Sequence, residues 1–275
     1  MVVERPAYFA NYSAGNAQHV NGAASVVGAP APSNDWRFAE GYIGAGFQEN
    51  LVLANFGSSP ASASVVLEYD NGSTLTNIYT ISAQDRFIVD VNAATANHVG
   101  TCAPSCALST AVSAEITTPA GTPIVAEREL FFHYTHTGNG RQVLAMGGTD
   151  VTGQAGMTVP TSYSFAEGYT NSGYDEWLTL QNPGMNPETI WVTLINGKGT
   201  VYAFPVKVGP HTRSTTDIVA VVSQHVYHHG DGYLGYEVSM TVQTTDGSGF
   251  VAERPMYWNV GGSQGGDDIL GYVGN

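Results

Sequence analysis

An internal repeat constrains this chain more than any other feature. Phe38-Ala-Glu-Gly-Tyr42 recurs as Phe165-Ala-Glu-Gly-Tyr169, a spacing of 165 − 38 = 127 residues. Further residues match at the same spacing, among them Leu51, Leu53, Asn55, Arg86 and Asp90 with Leu178, Leu180, Asn182, Arg213 and Asp217. Self-similarity at a fixed spacing is the signature of repeated structural units. Two parts of the chain therefore share one fold.

A second motif closes each unit. Val125-Ala-Glu-Arg128 recurs as Val251-Ala-Glu-Arg254, and a third copy, Val3-Glu-Arg-Pro6, stands near the start. The chain thus holds three closing segments but only two central ones. We expect a partial repeat at 1–32, one unit at 33–159 and a second unit at 160–275. Residues 1–32 either complete the first unit, in which case about 25 residues at the other end are the surplus, or are themselves a surplus piece that pairs with a neighbouring unit. A repeat that is simply cut at its edge is the third interpretation.

The repeated segments have the pattern of β-strands. Apolar and polar residues alternate in Ala63–Tyr69, Phe87–Val91 and Ile190–Leu194, and turn signals such as Asn-Gly separate the runs. No stretch keeps a helical period for three turns. The sequence therefore predicts an all-β chain with two tandem sandwiches of the Ig-like or jelly-roll type, plus the partial repeat.

Charge excludes one class of partner. The net charge is −14 and only 12% of residues are charged. Such a field repels phosphate backbones, so we expect no nucleic-acid binding. No segment has the length of a membrane span, and the start lacks the apolar core of a signal peptide. We expect a mature fragment or part of something longer.

The two cysteines, Cys102 and Cys106, stand in Thr-Cys-Ala-Pro-Ser-Cys. Three intervening residues allow a small disulfide-closed loop, which suits a secreted protein. Two free thiols are the alternative, and a metal site needs more ligands than this loop offers.

Glutamates and arginines recur within apolar strands. A carboxylate pair for glycoside hydrolysis is one interpretation of Glu40 and Glu167. Buried ion pairs that set strand register are the stronger one, because such groups are rarely buried unless paired. We expect Glu40 to pair with Arg128 or Arg5. We expect Glu167 to pair with Arg254 or Arg128.

Three further residues are weaker candidates for ligand binding. Asp90 and Asp217 follow strands and precede loops, where a carboxylate either caps a turn or binds a metal or sugar. Each has an arginine four residues before it, so a local ion pair is also open. Trp191 shares a strand face with threonines and is the candidate for stacking on a sugar.

A histidine-rich segment resembles a metal site only in composition. His225, His228, His229 and Asp231 lie close together, but only His225 has a counterpart, His98, in the first unit. A short cluster without defined geometry is weak evidence for a metal. We expect no metal and no cofactor.

The motifs Phe-Ala-Glu-Gly-Tyr, Glu-Trp-Leu-Thr-Leu-Gln-Asn-Pro-Gly and Val-Ala-Glu-Arg-Pro-Met-Tyr carry a resemblance. The chain resembles the tandem repeats of large, largely uncharacterised secreted or cell-surface bacterial proteins. The first unit departs from the pattern, since Gln181 and Pro183 become Ala54 and Phe56. The resemblance implies an extracellular scaffold built from repeats. No catalytic residue comes with it.

The sequence has no nucleophile elbow and no phosphate-binding glycine loop. We therefore expect a non-enzymatic structural protein, secreted or on the cell surface, as an adhesive stalk or a filament subunit. Its partners are copies of itself or neighbouring repeats. The alternative is a pair of carbohydrate-binding modules that bind cell-surface glycans. An enzyme is the third hypothesis, and it requires a cleft in only one unit.

Overall fold

A computed structural model describes residues 3–138, 141–196, 199, 201–226 and 236–274. Strands dominate these residues, so the predicted all-β class is confirmed. The chain begins with a hairpin, hairpin 1, made of β1 (Glu4–Ala14) and β2 (Ala17–Val27). Two sandwiches follow, which we call unit 1 and unit 2.

Unit 1 packs two antiparallel sheets face to face. Their strand orders are β12-β3-β9-β5-β6-β8 and β11-β10-β4-β7. The elements are β3 (Asp35–Phe38), β4 (Phe47–Asn55), β5 (Ala61–Tyr69), β6 (Thr74–Ile81), β7 (Asp85–Asp90), α1 (Val91–Ala96), β8 (Thr101–Ala103), β9 (Val112–Thr117), β10 (Val125–Gly138), β11 (Arg141–Thr152) and β12 (Gln154–Ala155).

Unit 2 repeats this plan. Its sheets are β13-β18-β15-β16 and β17-β14-β19-β20. The elements are β13 (Ser162–Phe165), β14 (Tyr174–Asn182), β15 (Glu188–Asn196), β16 (Val201–Val208), β17 (Thr212–Asp217), α2 (Ile218–Val226), β18 (Val238–Thr244), β19 (Val251–Val260) and β20 (Ser263–Leu270). The strands β4 to β7 and β14 to β17 start and end at equivalent positions of the repeat.

Alternation along the strands builds the two cores. In β4 the side chains of Leu51 and Leu53 are fully buried, and Leu178 and Leu180 occupy the same places in β14. Inward residues of one sheet meet those of the other, as expected for a sandwich. Each unit has its own apolar cluster, so each has the core of a separate sandwich.

The described residues contain two short helices in addition to the predicted strands. The strand predicted at Phe87–Val91 ends at Asp90, because Val91 starts α1. Asp90 accepts a hydrogen bond from the backbone N–H of Ala93 and so caps the helix. No helix within the described ranges is long and apolar enough to cross a membrane.

The closing motifs form three equivalent hairpins: β1–β2, β10–β11 (hairpin 2) and β19–β20 (hairpin 3). Hairpin 2 pairs with β4 and hairpin 3 pairs with β14, each within its own unit. Among the described strands β1 pairs only with β2. Hairpin 1 is therefore the surplus element, and it packs on β11 as β11 packs on β20.

Candidate functional site

The two units meet through a buried arginine. Arg128 of β10 donates from Nη1 to Glu253 Oε2 at 2.7 Å and to the backbone carbonyl of Glu40 at 2.6 Å. Its Nη2 donates to Asp268 of hairpin 3. Although burial opposes the charged form, the carboxylates of Glu253 and Asp268 raise the pKa of Arg128. A charged arginine clamp thus joins unit 1 to unit 2.

The same clamp occurs one repeat earlier. Arg5 of hairpin 1 donates to Glu127 Oε2 at 2.8 Å and also to Asp150 of hairpin 2. Arg5 and Glu127 are the equivalents of Arg128 and Glu253 in the closing motif. The difference is burial, since the side chain of Arg5 is 52% exposed and that of Arg128 is 0% exposed. Stacking of successive hairpins therefore uses one repeated contact.

The carboxylate of Glu40 pairs with Arg213, which corrects the expected pairing with Arg128 or Arg5. Arg213 Nη2 lies 2.8 Å from Glu40 Oε2, and its Nη1 donates to the carbonyl of Gly41. The physical reason is that β17 of unit 2 packs against the loop after β3 of unit 1. Arg213 is therefore directed across the junction rather than toward Asp217.

Glu167, the equivalent of Glu40 in unit 2, has a different environment. Its Oε2 lies 3.3 Å from Arg254 Nη1, one of the two expected partners. Its side chain is 66% exposed, whereas that of Glu40 is 8% exposed. The exposed position follows from the fact that no further unit covers this face of unit 2 in the described residues.

A buried carboxyl group lies under the repeated Phe-Ala-Glu-Gly-Tyr motif. Glu49 is fully buried, and neither of its oxygens has a hydrogen-bond partner in the described part of the chain. A Cβ atom added to Gly41 would lie 2.7 Å from both oxygens, so this position requires glycine. Burial raises the pKa of Glu49 to about 8 and that of its repeat equivalent Glu176 to about 8. Both groups are therefore mostly protonated at pH 7. Glu49 and Glu176 match at the repeat spacing of 127 residues, but this match alone does not show that the two carboxyl groups are buried and protonated.

An aromatic cleft of about 700 Å³ lies where the units meet. Tyr134 stacks on Tyr257 with ring centroids 4.0 Å apart. Tyr134 Oη donates to buried Asp175 at 2.8 Å and accepts a hydrogen bond from Trp177 Nε1 at 3.1 Å. His136 Nδ1 lies 3.0 Å from the same oxygen of Asp175. These contacts fix the aromatic wall, which contains side chains of both units.

The aspartates expected at loop edges serve as helix caps. Asp217 Oδ1 accepts from the N–H of Ala220 at 2.9 Å, as Asp90 does from Ala93. This geometry supports the cap interpretation rather than a metal or sugar site at these residues. Trp191 is 38% exposed on the outer face of β15, away from the cleft.

The cysteines and histidines lie elsewhere. Cys102 and Cys106 form the expected disulfide. His225 Nδ1 contacts the carbonyl of Val221 at 2.7 Å, and its ring lies over Tyr202. His228, His229 and Asp231 fall outside the described residues, so the structure does not place the rest of that cluster.

No family model matches the chain, and no curated protein matches it significantly. Among solved structures, it is similar to Thermotoga maritima 1070, at 14% identity and TM-score 0.34, over 43% of this chain and 97% of the other. It is also similar to the Anabaena sensory rhodopsin transducer, at 22% identity and TM-score 0.29, over 37% of this chain and 86% of that one. A third similarity is to the allantoicase of Saccharomyces cerevisiae, at 10% identity and TM-score 0.18, over 87% of this chain and 74% of the enzyme.

Proposed function

We propose that this is a non-enzymatic structural protein of the cell exterior, whose chains associate end to end through the contact that joins unit 1 to unit 2. The disulfide between Cys102 and Cys106 supports an oxidising location. The acidic groups nearest the junction support a structural role, because Glu40 and Glu253 are held in ion pairs with arginines.

The observation that carries the proposal is that each unit exposes one charged residue whose repeat equivalent is buried at the junction. At the junction Glu40 of unit 1 binds Arg213 of unit 2. The repeat places Glu167 on the far face of unit 2 and Arg86 on the outer face of unit 1, and both are exposed. By the repeat, these two exposed residues correspond to the two halves of the Glu40–Arg213 contact, and Glu167 also pairs with Arg254 at 3.3 Å within its own unit.

Apolar residues accompany these charges. Ile195 and Trp191 are both 38% exposed on β15, the strand equivalent to β5. On the outer face of unit 1, Ile88 is 42% exposed and is paired in register with half-buried Val52. Burial of apolar surface on both sides supplies the driving force that a stable association needs.

End-to-end association also requires that hairpin 1 leave its place on hairpin 2. Hairpin 1 stacks on hairpin 2 in the way that hairpin 2 stacks on hairpin 3. Hairpin 3 of an incoming molecule takes the same place, so end-to-end association displaces hairpin 1. Its clamp residue Arg5 is half exposed, so solvent screens its ion pairs more than it screens those of the fully buried Arg128.

Sedimentation of the purified chain over a range of concentrations tests this function, with electron microscopy of the larger species. We expect concentration-dependent particles with a repeat of one chain length. In Arg5→Glu the new carboxylate is repelled by Glu127 and Asp150, which releases hairpin 1. We therefore expect this variant to form a larger fraction of the concentration-dependent particles than the native chain. A chain that stays monomeric at all concentrations, with and without Arg5→Glu, contradicts the proposal.

A second candidate function is saccharide binding in the aromatic cleft. The rigid wall of Tyr134, Tyr257 and Trp177 and the nearby polar groups Asp70 and His133 combine apolar faces with hydrogen-bonding groups. A volume of about 700 Å³ lies within the range of small-molecule sites. The cleft, rather than Trp191, is the location that this combination favours.

Binding of a panel of soluble oligosaccharides tests the second function. Trp177→Ala should abolish binding, whereas Trp191→Ala should leave it unchanged. Loss of binding in Trp191→Ala alone would place the sugar site on β15 instead. Absence of binding by the native chain to every saccharide would remove this candidate.

A further inference from the structure

Three potential metal ligands from both units meet beside the junction. Glu68 lies on β5, Glu115 on β9, and His211 in the turn between β16 and β17. One ligand atom from each lies within 4.8 Å of the other two. His211 Nδ1 is 3.2 Å from Glu68 Oε1. Two ligands bound 2.0–2.1 Å from a tetrahedral zinc ion lie about 3.3 Å apart, so this spacing suits a shared metal.

The surrounding contacts are those of an outer ligand shell. Gln181 Nε2 donates to Glu68 Oε2 at 2.8 Å, and Arg37 Nη2 donates to Glu115 Oε1 at 2.6 Å. Metal-binding carboxylates are usually oriented by such hydrogen bonds. Gln181 is fully buried, and its own Oε1 has no partner among the described residues. An unpartnered polar atom therefore adjoins the cluster.

The electrostatics also favour a cation. Glu68 is fully buried, and Glu115 is half-buried beside it. Arg37 compensates the charge of Glu115 at 2.6 Å, whereas the hydrogen bonds of buried Glu68 come from Gln181 and His211, so a cation bound between Glu68 and His211 would offset the cost of burying that carboxylate.

We propose that Glu68, Glu115 and His211 form a divalent metal site of the zinc type that ties unit 1 to unit 2. Two carboxylate oxygens and one imidazole nitrogen are ligands that zinc accepts, whereas magnesium and calcium prefer oxygen alone. Water completes the coordination. This site is independent of the proposed end-to-end association, because its residues lie at the internal junction.

The repeat supplies substitutions that the fold tolerates. Gln84 occupies the position equivalent to His211, with φ of 54° against 50°, so glutamine accepts this left-handed conformation. His211→Gln therefore removes the nitrogen ligand without straining the turn. His98, at φ 48°, lies outside the cluster and is the control for histidine replacement.

Calorimetric titration of the chelator-treated full chain with zinc chloride tests the site. We expect saturable binding that is at least tenfold weaker in both His211→Gln and Glu115→Gln and unchanged in His98→Gln. Cobalt chloride should give visible absorption bands that His211→Gln loses. Zinc should also raise the melting temperature of the native chain but not that of His211→Gln.

Two results overturn the assignment. The first is a native chain that binds neither zinc nor cobalt. The second is binding that is equally strong in His211→Gln and Glu115→Gln, which would place the metal at other histidines of the chain.

Discussion

Replacing Arg128 with methionine tests the clamp that joins the two units. The substitution keeps an unbranched side chain of similar length but removes the charge that compensates Glu253 and Asp268. Both carboxylates are essentially inaccessible to solvent, at 0% and 1% side-chain exposure. The variant therefore leaves two buried acidic groups without their cation.

The structure gives the size of the effect. Breaking a buried ion pair by removing one partner costs about 3–5 kcal/mol. For a chain of this size each kcal/mol lowers the melting temperature by about 2–4 °C, so Arg128→Met should lose roughly 6–20 °C. Arg5→Met removes the equivalent arginine, whose side chain is 52% exposed although its partner Asp150 is 6% exposed, so we expect a loss below about 3 kcal/mol, the lower bound for a fully buried pair.

Scanning calorimetry and urea unfolding of both variants measure this difference. Both arginines bind the equivalent glutamate and aspartate, and Arg128 also donates to the carbonyl of Glu40, so burial and this one hydrogen bond distinguish them. Equal losses of stability in Arg128→Met and Arg5→Met would refute the reasoning, because they would show that enclosure at the junction adds nothing.

Three further predictions concern single groups. Glu49 and Glu176 have a pKa of about 8 in the folded chain, whereas the ordinary value is 4.5. Because the folded chain holds these protons more tightly than the unfolded chain, the stability that they contribute is fully present below about pH 4.5 and is lost as the pH rises through about 8. Urea unfolding should show stability falling by up to about 1.4 kcal/mol per pH unit for each glutamate in that window, and Glu49→Gln should flatten the slope. Gly41→Ala places a Cβ atom against the carboxyl of Glu49 and should destabilise the fold by about 1–3 kcal/mol in thermal unfolding, whereas Gly28→Ala, with 3.6 Å to its nearest neighbour, should be close to neutral. Asp217→Ala removes the cap of α2 and should lower the free energy of unfolding in urea by about 0.5–2 kcal/mol. A change in zinc binding in this variant would contradict the assignment of Asp217 as a helix cap.

The sequence predicted the repeated architecture well, because the alternation of residues such as Leu51 and Leu53 depends only on the strand itself. It could not predict α1 and α2. These helices are short, and short helices depend on capping and tertiary packing more than on propensity. Asp90 was recognised as a possible cap of a turn, but the helix behind it has no independent sequence signal.

The contacts across the junction were harder to predict for a physical reason. Arg86 and Arg213 are equivalent in the repeat, yet one is exposed and the other is buried against Glu40. The amino-acid type at each position is the same, and only the packing of one unit on the next distinguishes them. The cluster of Glu68, Glu115 and His211 was missed for the same reason, since its members come from distant parts of the chain.

A charge exchange between the two end faces tests the central claim most directly. Arg86→Glu and Glu167→Arg each place like charges in the proposed end-to-end contact, and the double variant restores an opposite pair in exchanged positions. Light scattering and electron microscopy should show that each single variant loses the assemblies and that the double variant regains them. Assemblies that persist in both single variants, or that the double variant does not regain, would contradict end-to-end association through the repeated junction.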